Sequence, residues 1–360
     1  MSKKLNTPIV TTQTDSLIPT IIKPSDHPKA SHDKIGVVLV NLGTPEGTDY
    51  WSMRKYLSEF LSDQRVINLP KLLWQPILQG IILTTRPARS GRAYQSIWNM
   101  DKNESPLKTH TRAQAEKVRD LLHKKHPDLV VTWAMRYGKP SIQAAIEELS
   151  AQGCRKVLFF ALYPQYSATT TASVFDKAFD TLKTMRWQPA IRTSSPWHDR
   201  PDYIAVLGKS VQAHLDALEQ PPEYIVTSFH GLPQKYLEKG DPYHCMCVKT
   251  SRLLQEYLNW PKDKWATTFQ SRFGPATWLQ PYTEPSLIAL AESGVKGVAV
   301  LSPAFVSDCI ETLEEISIEA KHSFIEHGGE DFSYIPCLND DAAHIDLLSS
   351  YIEQELQGWL

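Results

Sequence analysis

VVLVNLGTP, residues 37–45, and YIVTSFHGLP, residues 224–233, follow one pattern. Each is a run of strand-forming residues that delivers a side chain at its end and then breaks on glycine and proline. Apolar residues at successive positions, rather than at every second one, belong to a strand covered on both faces, as in a parallel sheet. Glycine permits the sharp turn that follows. Two such segments in opposite halves of the chain predict a duplicated α/β unit.

The flanking sequence repeats with them. MRYG (135–138) precedes a helical pattern ending at Gly153, a strand, and YPQYS (163–167); SRFG (271–274) precedes a helical pattern ending at Gly294, a strand, and SPAFVS (302–307). This matching pairs Arg136 with Arg272 and Pro164 with Pro303. Strands are predicted at 35–41, 129–135, 156–162, 224–229, 265–271 and 296–302, with helices between them such as 141–153 and 285–294. The fold class is α/β: two similar halves, each a parallel sheet flanked by helices, facing across a cleft. A flexible lead-in over 1–33, a first half over 34–197 and a second over 198–340 are expected, with the seam near TSSPWHDRP (193–201). Open parallel sheets bind ligands beyond the carboxyl ends of their strands. Asn41, Arg136, Tyr163, His230, Arg272 and residues 302–311 fall there.

Composition narrows the function. A formal net charge of −2 excludes a nucleic-acid partner held by bulk electrostatics. The 5 cysteines, at 154, 245, 247, 309 and 337, are odd in number and scattered, which indicates reduced thiols in a cytoplasmic protein rather than a disulfide framework. CMC (245–247) lacks the paired spacing of a zinc site and reads as a helix start. The N-terminus has no secretory pattern, and no run approaches the ~20 apolar residues of a membrane span. The nearest is LPKLLWQPILQGIIL (69–83), which reads either as a buried helix or as an apolar lip resting on a membrane surface.

Three constellations carry chemistry. His230 ends a strand at the cleft, where an imidazole, with a reference pKa of ~6.5, can take a proton or bind a metal. In SDCIETLEEISIEA (307–320), Asp308, Glu311, Glu315 and Glu319 recur every three or four residues, placing carboxylates along one helix side; Asp308 suits the N-cap. A solvated acidic face is the ordinary meaning of such a row, but its first acids sit beside the cleft, where hard oxygens opposite an imidazole make a mixed N/O site. The third set, RPARSGRAYQSIW (86–98), SPL (105–107), MRYG and YPQYSATTTAS (163–173), mixes aromatics, hydroxyls and arginines. It suits a flat, largely apolar ligand with carboxylates at its rim.

Together, NLGTPE, YPQYS, SFHGLP followed by KGDPY (228–243), FQSRFGPATWL followed by PYT (269–283), and DCIETLEEI (308–316) resemble the ferrochelatase family of bacterial type, over about residues 35–355. The resemblance implies two Rossmann-like, chelatase-type halves around a porphyrin cleft, with a C-terminal helix at 341–360 packing back on the first half. It implies a lyase that inserts ferrous iron, a substrate, into protoporphyrin IX to give protohaem. His230 and Glu311 would be catalytic; His230, Glu311, Asp308 and Glu315 would hold or relay iron; Leu42, Arg89, Tyr94, Ser105, Arg136, Tyr137, Tyr163 and Tyr166 would contact the ring or its propionates. The lip at 69–83 would make peripheral contact at the inner face of a membrane, and an iron-donor protein is a further partner the family allows. Two departures stand out. Cys309 replaces a histidine that some members carry, and the three-cysteine extension of the animal enzymes is missing, so no [2Fe-2S] cluster is expected. A chelatase for coproporphyrin or cobalt, or a porphyrin carrier without catalysis, are the competing readings.

Overall fold

A computed structural model describes residues 34–360, and the expected lead-in over 1–33 lies outside them. The first sheet contains β1 (Lys34–Gly43), β2 (Leu129–Tyr137), β3 (Cys154–Ala161) and β4 (Ala190–Thr193), in the order β2-β1-β3-β4. The second contains β5 (Tyr224–His230), β6 (Trp265–Gln270), β7 (Gly297–Leu301) and β8 (Asp331–Ile335), in the order β6-β5-β7-β8. Every pairing is parallel, and the two orders are the same. All six expected strands are present. β4 and β8 were not foreseen: each is a short edge strand of mostly half-exposed residues, without the apolar run that marks the central ones.

Alternation along β1 shows why its sequence is apolar throughout. Val37 and Leu39 enter a core shared with Ile225 of β5, Leu301 of β7 and the C-terminal helix Ala342–Glu355. Val38 and Val40 enter another, under helices Ile142–Ala151 and Ser173–Leu182. Both faces are covered, so neither needs polar residues. The C-terminal helix lies across the shared core: its Tyr351 hydroxyl donates to Asp202 at 2.5 Å, and Lys125 reaches its Glu353 at 3.2 Å.

The glycines at the ends of β1 and β5 are required by close backbone approach. A Cβ on Gly43, which has φ +116°, would lie 1.8 Å from the Tyr137 carbonyl oxygen, and one on Gly231 would lie 2.7 Å from that of Gln270. Pairing sets Asn41 opposite Met135 and Gly43 opposite Tyr137, and sets His230 opposite Gln270. Superposing the two glycine turns therefore equates Arg136 with Gln270, which corrects the expected match to Arg272. β6 ends at Gln270, Ser271 turns into the left-handed region at φ +64°, and Arg272 stacks over Tyr282 beyond the sheet.

The segment 69–83 is buried along one side and exposed along the other. It runs as helix Lys71–Ile77, a π turn Leu78–Ile82, and the start of helix Leu83–Ile97, with Pro76 interrupting the α ladder. Trp74, Leu78 and Leu83 are buried, whereas Leu72 is 91% exposed, Leu73 66% and Ile81 65%. One face anchors the lip and the other presents an apolar ridge to solvent.

Candidate active site

His230 is the last residue of β5 and is half-buried. Its Nδ1 lies 2.7 Å from the Gly231 carbonyl oxygen. A carbonyl only accepts, so Nδ1 donates to it, and Nε2 is the nitrogen left to exchange a proton or bind a metal. Beside it, Gln270 donates through Nε2 to the Glu311 carbonyl oxygen at 2.6 Å and to Glu315 Oε2 at 3.2 Å. The Ser271 amide donates to Glu315 Oε1 at 2.6 Å, and the Ser271 hydroxyl donates to Oε2. Burial raises the Glu315 carboxyl above its ordinary range, the Ser271 and Gln270 bonds pull it back, and the charges of His230 and Glu311 act on it with opposite sign. His230, Glu311 and Glu315 thus form one electrostatic group.

Glu311 also acts on the first half. Tyr56, Tyr94 and Tyr163 are held above the usual phenol range, chiefly by burial, and the charge of Glu311 adds to each. The Tyr163 hydroxyl is buried, with no hydrogen-bond partner among the described residues. Leu42, the counterpart of His230 at the end of β1, packs against the cluster containing Tyr56, Tyr94 and Tyr137, and against a second one of Leu107, Met135 and Cys309. Aromatic and aliphatic surface from one half therefore lies within electrostatic reach of the Glu311 carboxylate from the other.

Asp308 does not join this group. Its Oδ1 accepts from Thr312 Oγ1 at 3.0 Å, the Tyr334 hydroxyl at 2.5 Å and the Cys337 amide at 3.4 Å, and its Oδ2 accepts from Asn339 Nδ2 at 2.7 Å. Nor is it an N-cap. Cys309 occupies that position, before the four-residue helix Ile310–Leu313, and a π turn over Glu315–Ala320 follows. Among the described residues, no three His, Cys, Asp or Glu side chains converge as a metal-binding group, so the four expected metal residues are not one cluster.

The remaining expected contacts divide. Arg136 donates through Nη2 to Asp63 at 2.5 Å and through Nε to the Ser173 hydroxyl at 2.7 Å; the Tyr137 hydroxyl joins the same Asp63 oxygen at 2.8 Å. Despite the opposing effect of burial, hydrogen bonds from Ser173, the Arg65 amide and Tyr137, with the charge of Arg136, hold the Asp63 carboxyl below its ordinary value. Ser105 caps helix Pro106–His123, its Oγ accepting from the Lys108 amide at 3.2 Å. Tyr166 is half-buried, its amide 3.3 Å from Met246 Sδ, and Arg89 is exposed. Sequence reasoning missed Asp63, Tyr56 and Gln270, and within its arginine-bearing set 86–98 it did not single out Arg86. Arg86 is half-buried, its charge opposed by burial and by Arg89, and lies 4.5 Å over the Phe273 ring; no ion pair to it is found among the described residues. Glu314 was also missed: burial, reinforced by Glu319 and Glu315, pushes its carboxyl up to about 7.

This arrangement can hold a flat apolar ligand against the tyrosines, with a cation or a departing proton between His230 Nε2 and the carboxylates. Comparison with known proteins agrees with it. A family profile described as Ferrochelatase matches residues 34–356. A ferrochelatase of Allorhizobium ampelinum is 57% identical over 94% of this chain and 98% of its own length, and one of Rhizobium meliloti is 55% identical over 93% and 99%. Among solved structures, the cobalt complex of the sirohydrochlorin chelatase SirB from Bacillus subtilis subspecies spizizenii aligns over 90% of this chain and 96% of its own, with a TM-score of 0.50 and 11% identity. That likeness is one of fold.

Proposed function

Because the chain belongs to the ferrochelatase family, the lyases that insert ferrous iron into protoporphyrin in haem biosynthesis, we propose that His230, Glu311 and Glu315 carry that insertion between the two sheet edges. Metalation removes two pyrrole protons and exchanges the water around iron for ring nitrogens. A planar ring shields those nitrogens, so a site that favours a bent ring lowers the barrier. Tyr56, Tyr94, Tyr163 and Leu42 supply the wall against which the ring bends. His230 Nε2 takes the two pyrrole protons in turn and gives each up to solvent, while the Glu311 carboxylate meets the iron and Glu315 lies behind it. Arg86 and Arg89, with Tyr166, face the propionates; Arg136, Tyr137 and Ser105 shape the ring site from behind. The observation that carries this reading is Gln270: it lies opposite His230 in the sheet and donates both to the Glu311 carbonyl at 2.6 Å and to Glu315 Oε2 at 3.2 Å, so the strand end bearing the imidazole and the acidic turn are held together.

An anaerobic assay of ferrous iron with protoporphyrin IX tests it. Glu311→Gln should cut kcat by about 10²- to 10⁴-fold with porphyrin affinity retained; full activity in that variant would remove Glu311 from the mechanism. Wild-type preference for coproporphyrin, or for cobalt, would redirect the substrate assignment.

The lip adds a membrane reading of the same site. No helix among the described residues is long and apolar enough to cross a bilayer. Exposed Leu72, Leu73, Ile77 and Ile81 form a ridge that, at ~1.5 kcal/mol for each side chain buried, yields about 6 kcal/mol toward peripheral binding at the cytoplasmic face. Replacing Leu72 and Ile81 by serine should release the protein from sedimenting vesicles, and unchanged sedimentation would discard the lip as the contact. We also propose that the chain carries no iron-sulfur cluster. Its cysteines are free thiols on separate segments apart from the Cys245 and Cys247 pair, and stoichiometric sulfide in the purified protein would refute this.

A further inference from the structure

We infer that Asn339 is a positioning residue for iron insertion: it holds Asp308 and, through Asp308, fixes the turn that presents Glu311. The inference rests on the role proposed for Glu311. Asn339 and Asp308 make a reciprocal pair, in which the Asp308 amide donates to Asn339 Oδ1 at 2.8 Å and Asn339 Nδ2 donates to Asp308 Oδ2 at 2.7 Å. The other oxygen of Asp308 takes Thr312 Oγ1 at 3.0 Å, and Thr312 Oγ1 in turn accepts from the Cys309 amide at 3.0 Å. Glu311 lies between Cys309 and Thr312, and Gln270 pins its carbonyl from the opposite side at 2.6 Å. The Glu311 backbone is thus clamped from two directions, and only one of the clamps belongs to the cleft.

The buried clamp is tied to the rest of the molecule through the Asn339 backbone. Its amide donates to the Val306 carbonyl at 2.8 Å. Its carbonyl accepts from Gln114 Nε2 at 2.8 Å, in helix Pro106–His123 of the first half, and from His344 Nδ1 at 2.7 Å, in the C-terminal helix. Asn339 adopts φ +48°, a conformation asparagine tolerates better than most residues. Its amide side chain also provides one acceptor and one donor, both of which the pair requires. Aspartate lacks the donor, and glycine keeps the backbone freedom but loses both. Backbone and side-chain contributions can therefore be separated by substitution.

The test compares Asn339→Gly, Asn339→Asp and the exchanged pair Asp308→Asn with Asn339→Asp, all as full-length protein assayed with ferrous iron and protoporphyrin IX. Each single variant should lose about 10- to 100-fold in kcat over KM for iron. KM for porphyrin should stay near wild type, and the exchanged pair, which again has one donor facing one acceptor, should recover most of the loss. Wild-type kinetics in a folded Asn339→Gly would overturn the inference. So would an exchanged pair that folds, by thermal melting, yet recovers nothing, or a loss divided equally between the two substrates. If the single variants fail to fold, the exchanged pair alone decides. Glu311→Gln in the same assay separates the two claims: if that variant is fully active, the reading of Glu311 fails, whatever Asn339 does.

Discussion

The carboxyl edges of the two sheets are built alike and carry different side chains. β1 ends on Leu42 and Gly43 beside Arg136; β5 ends on His230 and Gly231 beside Gln270. In both, glycine lets the neighbouring strand's carbonyl pass at close range. At the first edge, the charged group is closed: Arg136 and Tyr137 are committed to Asp63, and Leu42 offers only surface. At the second, His230 has one nitrogen fixed by Gly231, and Gln270 is drawn to the acidic turn. Duplication supplied two rigid mounts. On the proposed reading, the edge that does chemistry is the one whose terminal side chain has a nitrogen free to exchange a proton.

The strongest way to break this contrast is to remove both end residues in turn. His230→Ala should lower kcat by about 10³-fold while fluorescence titration shows porphyrin still bound. Leu42→Ala should do the reverse, raising the porphyrin Kd severalfold with kcat at saturation within about a factor of five, since it removes contact area rather than a proton acceptor. Equal effects on kcat would mean that the two edges share the chemistry.

A smaller effect is expected at the closed edge. Asp63→Asn leaves the Arg136 guanidinium buried beside a neutral amide, and removing one partner of a buried pair costs about 3 kcal/mol. Asp63 also accepts from the Arg65 amide at 2.7 Å, in the loop leading to the lip. Denaturant unfolding should report the loss of stability, and porphyrin KM should rise more than kcat falls. A fall in kcat alone would place Asp63 in the proton path instead.

How much of this was legible follows from the range over which each signal acts. Central strands announce themselves locally because both faces are buried, and His230 is visible as a polar end to such a run. Glu311 was legible through its motif. β4 and β8 were not, because an edge strand of four or five residues needs no particular pattern. Asp63 could not be found, since its partner Arg136 is 73 residues away and nothing in LSDQRV points to it. Asp308 was misplaced for a related reason. Its spacing from Glu311 fits a continuous α-helix, whereas the chain starts a short helix at Ile310 and widens into a π turn at Glu315, which rotates the acids relative to one another.

The smallest expected effect separates the edges from the joint that holds them. His344 is fully buried in the C-terminal helix, and burial lowers its pKa to about 4, against ~6.5 for an unfolded chain. Between those values the unfolded state binds more protons, so stability from this group is complete above about pH 6.5 and is lost as pH falls toward 4. The loss amounts to about 3 kcal/mol at the acid end. His344→Asn keeps a donor for the Asn339 carbonyl but does not titrate, and should flatten the fall in unfolding free energy between pH 6.5 and 4. If activity in that variant still declines over the same range while stability no longer does, the acid limb belongs to the second sheet edge. If both flatten together, acid inactivation in the wild type is a loosening of the joint, and a pH-rate profile says nothing about His230.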